Sequence, residues 1–278
     1  MKKLLLTLCL AFCALSLAGC NKVEFDESKG TLVVGLECNY TPFNWLETEA
    51  TDTNWPVDNV PGSYAEGYDV QMAKLIAQDL GYTLVLKRIA WEGLIEGLDA
   101  GTIDLIIAGM SPTEERKLSI NFSDSYYNTT HVVLTKASSK YANAKTFADL
   151  AGAKVLGQKG TTYDTLAGQI AAKSSNCTNL TPLSSVPEIV NAIDSGVADL
   201  TVLEKPVAQG LVAKDSSLVY FALSEAFDLD PADTMVSIGI RKVDENLLAK
   251  VNAALAKISQ ATRDELMLNA INNQPAEE

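Results

Sequence analysis

The chain predicts a mixed α/β fold in two lobes, on three observations. Without an amino-terminal export signal, about 259 residues remain (278 less 19), large for one hydrophobic core and natural for two. Short apolar runs alternate with stretches of helical spacing in a β-α-β-α-β order. That order calls for a mainly parallel sheet covered by helices. The alternation then recurs in the second half of the chain. By pattern alone, the two α/β units would simply follow one another.

The elements read in order as follows. Lys2 and Lys3 precede an apolar run from Leu4 to Leu17, too short to span a bilayer comfortably, and Ala18 and Gly19 put small residues before Cys20. This is the build of a secretory signal over residues 1–19. Residues 21–29 are polar and charged, and can serve as a tether of at most ~30 Å if extended. A buried strand is expected over 31–36. Residues 46–66 have no clear period and read as a long loop or hairpin. Over 68–80, Val70, Ala73, Ala77 and Leu80 fall on one helical face that Met72 and Ile76 widen, and Gly81 supplies the stop. A strand over 82–86, a short helix over 91–98 and a strand over 103–108 complete the first set. The second set has strands over 132–135, 154–156 and 199–203, with helices over 162–173 and 186–194. A strand over 236–240 and helices over 245–258 and 263–272 close the chain.

Composition narrows the function. Residues 1–19 hold Lys2, Lys3 and no acid, so the rest carries 20 basic against 35 acidic residues, a net −15. That weighs against nucleic acid, whose binding rests on Lys and Arg neutralising phosphates. Of five Cys, Cys9 and Cys13 lie in the signal and Cys20 ends it. Cys38 and Cys177 fall in different lobes and are expected to be free, since a disulfide needs Cα atoms within about 7 Å. No CxxC or Cys/His cluster suggests a metal, and no cofactor is expected. His131 is the single His. It sits in an apolar run and is expected to be a hydrogen-bonded structural residue, so a His-based triad is unattractive.

The most informative stretch is Asp104 to Arg116, followed by Asn121 to Tyr127. The strand expected over 103–108 is broken by Gly109, Ser111 and Pro112. Thr113 can cap a helix whose first turn holds Glu114 and Glu115, a match to the positive helix end. Arg116 then sits at the carboxyl end of a strand, where open α/β sheets bind ligands. Its planar fork suits a carboxylate. A surface ion pair with Glu114 or Glu115 is the alternative use. In Gln158-Lys-Gly-Thr-Thr-Tyr163, free N–H groups at a helix start favour an anion. The GxxxxGK[ST] spacing of a phosphate loop is absent.

Two resemblances add to this reading. Leu17-Ala-Gly-Cys20 resembles a bacterial lipobox, which implies a lipidated Cys20 as the first mature residue. The pattern AGxSxTxER over 108–116 and FSDxYY over 122–127 resembles the signature of type II periplasmic-type amino-acid-binding proteins of ABC importers (bacterial extracellular solute-binding protein family 3). The likeness covers roughly residues 30–260. It implies the two-lobed type II periplasmic-binding-protein fold, with a first lobe from 30–126 and 237–278 and a second from 127–236. Two crossovers, near 126–130 and 233–237, would form the hinge.

The resemblance also implies a site. Arg116 would take the ligand α-carboxylate, with Gly109 and Ser111 bonding its main-chain end. Thr161 and Thr162 would close on the carboxylate from the second lobe, with Gln158 a further candidate. Glu204 stands where the family usually has an Asp that accepts the α-ammonium, one methylene longer. Glu37 would contact the side chain, with Tyr40 and Trp91 as facing walls, an arrangement suited to a cation. The implied function is the extracytoplasmic substrate-binding subunit of an ABC importer for a polar L-amino acid. Lys, Arg or His is favoured over glutamine, because a neutral side chain leaves the Glu37 carboxylate without a counter-charge. The implied partners are a free L-amino acid, a permease with its ATPase on other chains, and the membrane through the lipid anchor, with the chain itself a monomer. Two other readings remain: a cyclohexadienyl dehydratase-like enzyme using Glu37 or Glu204, and a receptor-associated amino-acid sensor.

Overall fold

The structure is a computed structural model and describes residues 23–275. The signal segment, Cys20 and the start of the expected tether lie outside the described residues. Residues 23–29 are not extended away from the body. The Phe25 N–H donates to Asp244 Oδ1 at 2.8 Å, its ring meets Tyr82 edge-on at 5.4 Å, and Lys250 pairs with Glu27 at 2.6 Å. That docking shortens the stretch left to act as a tether.

Strand β1 (Thr31–Leu36) buries Leu32, Val34 and Leu36 completely. Then come four short strands, β2 (Asn39–Tyr40), β3 (Asn44–Glu47), β4 (Trp55–Pro56) and β5 (Tyr64–Glu66), paired in the order β2-β3-β5-β4. The aperiodic segment is thus a small antiparallel sheet. The Trp55 indole N–H fastens it by donating to Leu84 O at 3.1 Å. Helix α1 (Tyr68–Leu80) buries Val70, Met72, Ala73, Ile76 and Ala77 of the expected stripe, leaves Leu80 partly buried, and ends at Gly81 with φ 74°. A left-handed φ of that kind favours glycine.

Next are β6 (Thr83–Arg88), α2 (Leu94–Asp99), β7 (Leu105–Ile106), α3 (Glu114–Lys117) and β8 (Asn121–Asn128). After Thr129 and Thr130 the chain enters a second sheet with β9 (His131–Lys136) and β10 (Lys154–Val155). Helices α4 (Thr162–Lys173), α5 (Val186–Asp194) and α6 (Lys205–Lys214) cover it, with β11 (Thr178–Asn179), β12 (Leu200–Glu204) and β13 (Leu218–Phe221) between and after them. Strand β14 (Met235–Ile240) then returns to the first sheet, followed by α7 (Glu245–Leu255) and α8 (Gln260–Asn273).

The first sheet runs β6-β1-β7-β14-β8 and the second β11-β10-β12-β9-β13. In the first, β1 is parallel to β6 and β7, while β14 is antiparallel to β7 and β8. The second repeats this plan, with β10 parallel to β11 and β12, and β9 antiparallel to β12 and β13. Central strand β12 is buried along its whole length, as a strand covered on both faces must be. Each lobe thus combines a mixed sheet with flanking helices. No described helix is long and apolar enough to cross a membrane.

Cys38 and Cys177 are both free. The expectation for His131 is corrected. Its ring is buried, yet neither nitrogen has a hydrogen-bond partner. Burial pushes the imidazole down to about 4, so it packs as a neutral ring, edge-on to Tyr163 at 6.1 Å.

Candidate functional site

A cleft between the lobes is lined by Glu37, Tyr40, Trp91, Gly109, Ser111 and Arg116 from the first lobe. Gln158, Thr161, Thr162, Tyr163 and Glu204 line it from the second, around about 320 Å³ of empty space. All nine residues singled out in the sequence therefore converge on one place, with Gln158 beside them. Strand ends and helix starts bring them there. Glu37 follows β1, Arg116 lies in α3 just beyond β7, Glu204 ends β12, and Thr161 caps α4 by accepting from the Tyr163 N–H at 3.1 Å.

Arg116 is held on both sides of the cleft. The Thr113 cap accepts from the Arg116 N–H at 3.3 Å, which starts α3 where expected. The guanidinium donates to Ser111 O at 2.8 Å and, across the cleft, to Gly160 O at 3.0 Å. It lies over the Trp91 ring, 4.9 Å from its centroid, a cation–π geometry. Among the described residues no ion pair joins Arg116 to Glu114 or Glu115, and Glu114 pairs with Lys117 at 2.8 Å instead. Burial lowers the Arg116 pKa to about 10, so the group stays cationic at neutral pH.

The carboxylates face the same space. Glu37 is buried and accepts from the Gln158 amide at 3.3 Å, across the lobes. Burial pushes Glu37 up to about 7, against the opposing pull of Gln158, the Trp91 backbone N–H and Arg88. Glu204 accepts from the Tyr40 hydroxyl at 2.8 Å. Burial pushes it up to about 8, opposed by the Tyr40 bond and by Arg116. The Tyr40 hydroxyl also lies 2.5 Å from that of Tyr163. At the rim, Trp91 Nε1 donates to Gly160 O at 3.2 Å and Lys159 pairs with Glu92 at 2.5 Å. One cation and two carboxyls of raised pKa thus share a cleft walled by aromatic rings, which matches the charges of a zwitterion with a donor-bearing side chain.

Residues 32–269 match the family model described as bacterial extracellular solute-binding proteins, family 3. This chain belongs to that family. It is 29% identical over 261 residues to the arginine-binding extracellular protein ArtP of Bacillus subtilis, covering 93% of each chain. It is 30% identical over 238 residues to the ABC transporter glutamine-binding protein GlnH of the same organism, covering 82% of this chain and 81% of that one. Among solved structures it is similar to an amino acid ABC transporter substrate-binding protein, AbpA of Streptococcus pneumoniae, bound to L-arginine. The TM-score is 0.72 at 28% identity, covering 88% of this chain and 96% of that one. The fold is accordingly the two-lobed type II periplasmic-binding-protein fold.

In this solute-binding protein, Tyr163 is the lining residue that sequence reasoning passed over. It stood in the Gln158–Tyr163 segment, but only the Thr pair and the helix start were read there. Its hydroxyl accepts from the Glu204 N–H at 3.2 Å. Glu204, Tyr163 and Tyr40 therefore form one bonded group spanning both lobes. The signal was an aromatic in the first turn of a helix that opens on the cleft.

Proposed function

We propose that this solute-binding protein captures a free L-amino acid with a cationic side chain and delivers it to the permease of an ABC importer, whose ATPase resides on another chain. The observation that carries this reading is the charge layout of the cleft. Arg116 from one lobe and Glu204 from the other face a common space, and Glu37 lies buried at its side-chain end. Arg116 would take the α-carboxylate with Thr161 and Thr162, while Glu204, Gly109 and Ser111 would receive the α-ammonium. A ligand side chain between Tyr40 and Trp91 would meet Glu37. Such a ligand bridges the lobes and favours closure by its differential affinity for the closed form. The hinge would lie where the chain changes sheets, at Thr129–Thr130 and again before β14. Lipidated Cys20 would hold the protein at the outer face of the membrane.

The arginine-named relatives support a cationic ligand. One observation favours glutamine instead: the Gln158 amide already satisfies Glu37, and a ligand amide could do the same. A thermal-shift screen over the twenty L-amino acids separates these readings. A ligand at a thousand times its dissociation constant adds about 4 kcal/mol. Stabilisation by arginine, lysine or histidine above all others is expected. Stabilisation by glutamine alone would restrict the reading to neutral amino acids, and no response to any amino acid would overturn it. Conversion of prephenate or arogenate by the purified protein would point to the enzyme reading.

A further inference from the structure

Beneath the cleft lies a buried polar group that touches none of the space a ligand would fill. Its centre is Asp69, completely buried at the start of α1. Asp69 Oδ2 accepts from the Asn44 amide at 2.8 Å, and Asn44 Oδ1 in turn accepts from the Cys38 N–H at 2.6 Å. Asp69 Oδ1 accepts from the Tyr126 hydroxyl at 2.6 Å, and that hydroxyl accepts from the Gly109 N–H at 3.2 Å. One carboxylate therefore reaches two backbone N–H groups, each through a single intermediary.

Those two N–H groups belong to unusual turns. Cys38 has φ 60° and Gly109 φ 63°. Left-handed backbone at Cys38, a residue with a Cβ, persists only where its surroundings hold it. The Cys38 turn directly follows Glu37, at the side-chain end of the cleft. The Gly109 turn leads to Ser111 and Arg116, and all three line the cleft, where the proposed function puts the ligand's main-chain end. The turns are also packed together, since a Cβ on Gly109 would stand 2.5 Å from Tyr40 Cε1.

We propose that Asp69 is a positioning residue that locks the side-chain-selecting turn and the main-chain-holding turn into one rigid frame, with Asn44 and Tyr126 as its two arms. The proposal rests on the amino-acid-binding reading and adds a division of labour. The Tyr126 arm sets affinity for the part common to all amino acids. The Asn44 arm sets discrimination between side chains. A fixed acceptor suits this role, because an ionised carboxylate is acceptor-only and offers one oxygen to each donor. Burial raises Asp69 to about 6, opposed by the bonds from Tyr126 and Asn44 and by the Gly109 N–H, so the carboxylate form is held at neutral pH. An amide at this position accepts through one atom only, so one arm must either be released or reverse its donor and acceptor.

The test uses the full mature chain at neutral pH, with Tyr126→Phe, Asn44→Ala and Asp69→Asn. Two readouts are taken: the backbone amide resonances of Cys38 and Gly109, and calorimetric affinities for arginine and glutamine. Tyr126→Phe should shift the Gly109 amide and weaken both ligands by a common factor of about tenfold, leaving their ratio within about twofold. Asn44→Ala should shift the Cys38 amide and change the arginine-to-glutamine ratio by about fivefold or more. Asp69→Asn should move at least one of these amides and weaken binding. If it does not fold, the two arm variants decide. Equal loss of both ligands in both arm variants, or unmoved Cys38 and Gly109 amides, would overturn the frame while leaving amino-acid binding standing. A wild-type protein that bound none of the twenty L-amino acids would overturn the frame and the binding reading together.

Discussion

Lowering the pH from 8 to 6 should weaken arginine relative to glutamine, and the reason lies in Glu37. The residue is 5% exposed, and burial pushes its carboxyl up to about 7. Its ionised fraction therefore falls from about nine-tenths at pH 8 to about one-tenth at pH 6. A guanidinium beside it binds the ionised form, so below pH 7 arginine must first expel a proton. The resulting loss approaches tenfold, or about 1.4 kcal/mol, by pH 6. Glu204, raised to about 8, imposes its own pH dependence, but through the α-ammonium that both ligands share. The ratio of arginine to glutamine affinity cancels Glu204, and comparing it between wild type and Glu37→Gln separates Glu37 from Asp69, which burial raises to about 6. Calorimetry at pH 8, 7 and 6 should show that ratio falling about tenfold, and Glu37→Gln should remove most of the fall, all of it between pH 8 and 7 where Asp69 stays ionised. At pH 8 Glu37→Gln should also weaken arginine by roughly 1.5–3 kcal/mol, the usual worth of a charged hydrogen bond, and barely affect glutamine. The same raised pKa makes the ionised group a burden on the fold. The burden is absent below the unfolded value of 4.5 and grows as pH rises through 7. Urea unfolding should therefore find Glu37→Gln more stable than wild type at pH 8, by up to about 3 kcal/mol. A ratio unchanged across this range, or unaltered arginine affinity in Glu37→Gln, would refute the assignment of Glu37 to a cationic side chain.

Three further outcomes are expected. Arg116→Ala should lose at least ~2 kcal/mol of amino-acid affinity with the fold intact, because a desolvated carboxylate loses its partner. Arg116→Lys should recover only part of this, since the charge returns without the fork; calorimetry with circular dichroism checks both. Gly109→Ala should lower the unfolding free energy by about 1–2 kcal/mol through its left-handed φ alone, and should impair binding because the new Cβ meets the Tyr40 ring; chemical unfolding and titration read the two effects. Cys20→Ser should move the protein from membrane to soluble fractions, and retention in the membrane fraction would place the anchor elsewhere.

The sequence alone determined the local structure and the residue set. Helical spacing from Val70 to Ala77, with Gly81 behind it, predicted α1 to the residue. Thr113 announced the start of α3 as helix caps do, while the cap at Thr161 emerged with the structure. These signals are local, so periodicity and capping chemistry carry them. The motif resemblance supplied nine of the eleven lining residues. Strand β8, with polar Asn121, Ser123, Asp124 and Ser125 along it, shows no apolar run and went unread, because its strand state comes from pairing with β14 more than a hundred residues later. The polar and aromatic segment after Trp45 likewise became strands only by pairing within its own small sheet and docking on β6. Tertiary structure alone decided how the site is wired. It set Tyr163 between Tyr40 and Glu204, carried the Arg116 guanidinium onto Trp91 instead of a neighbouring acid, left both His131 nitrogens unpartnered, and ran two arms from Asp69 to the Cys38 and Gly109 turns. Each of these depends on groups far apart in the chain meeting in a low-dielectric interior, where burial sets the pKa and every unpaired donor is expensive. No window along the sequence contains that information.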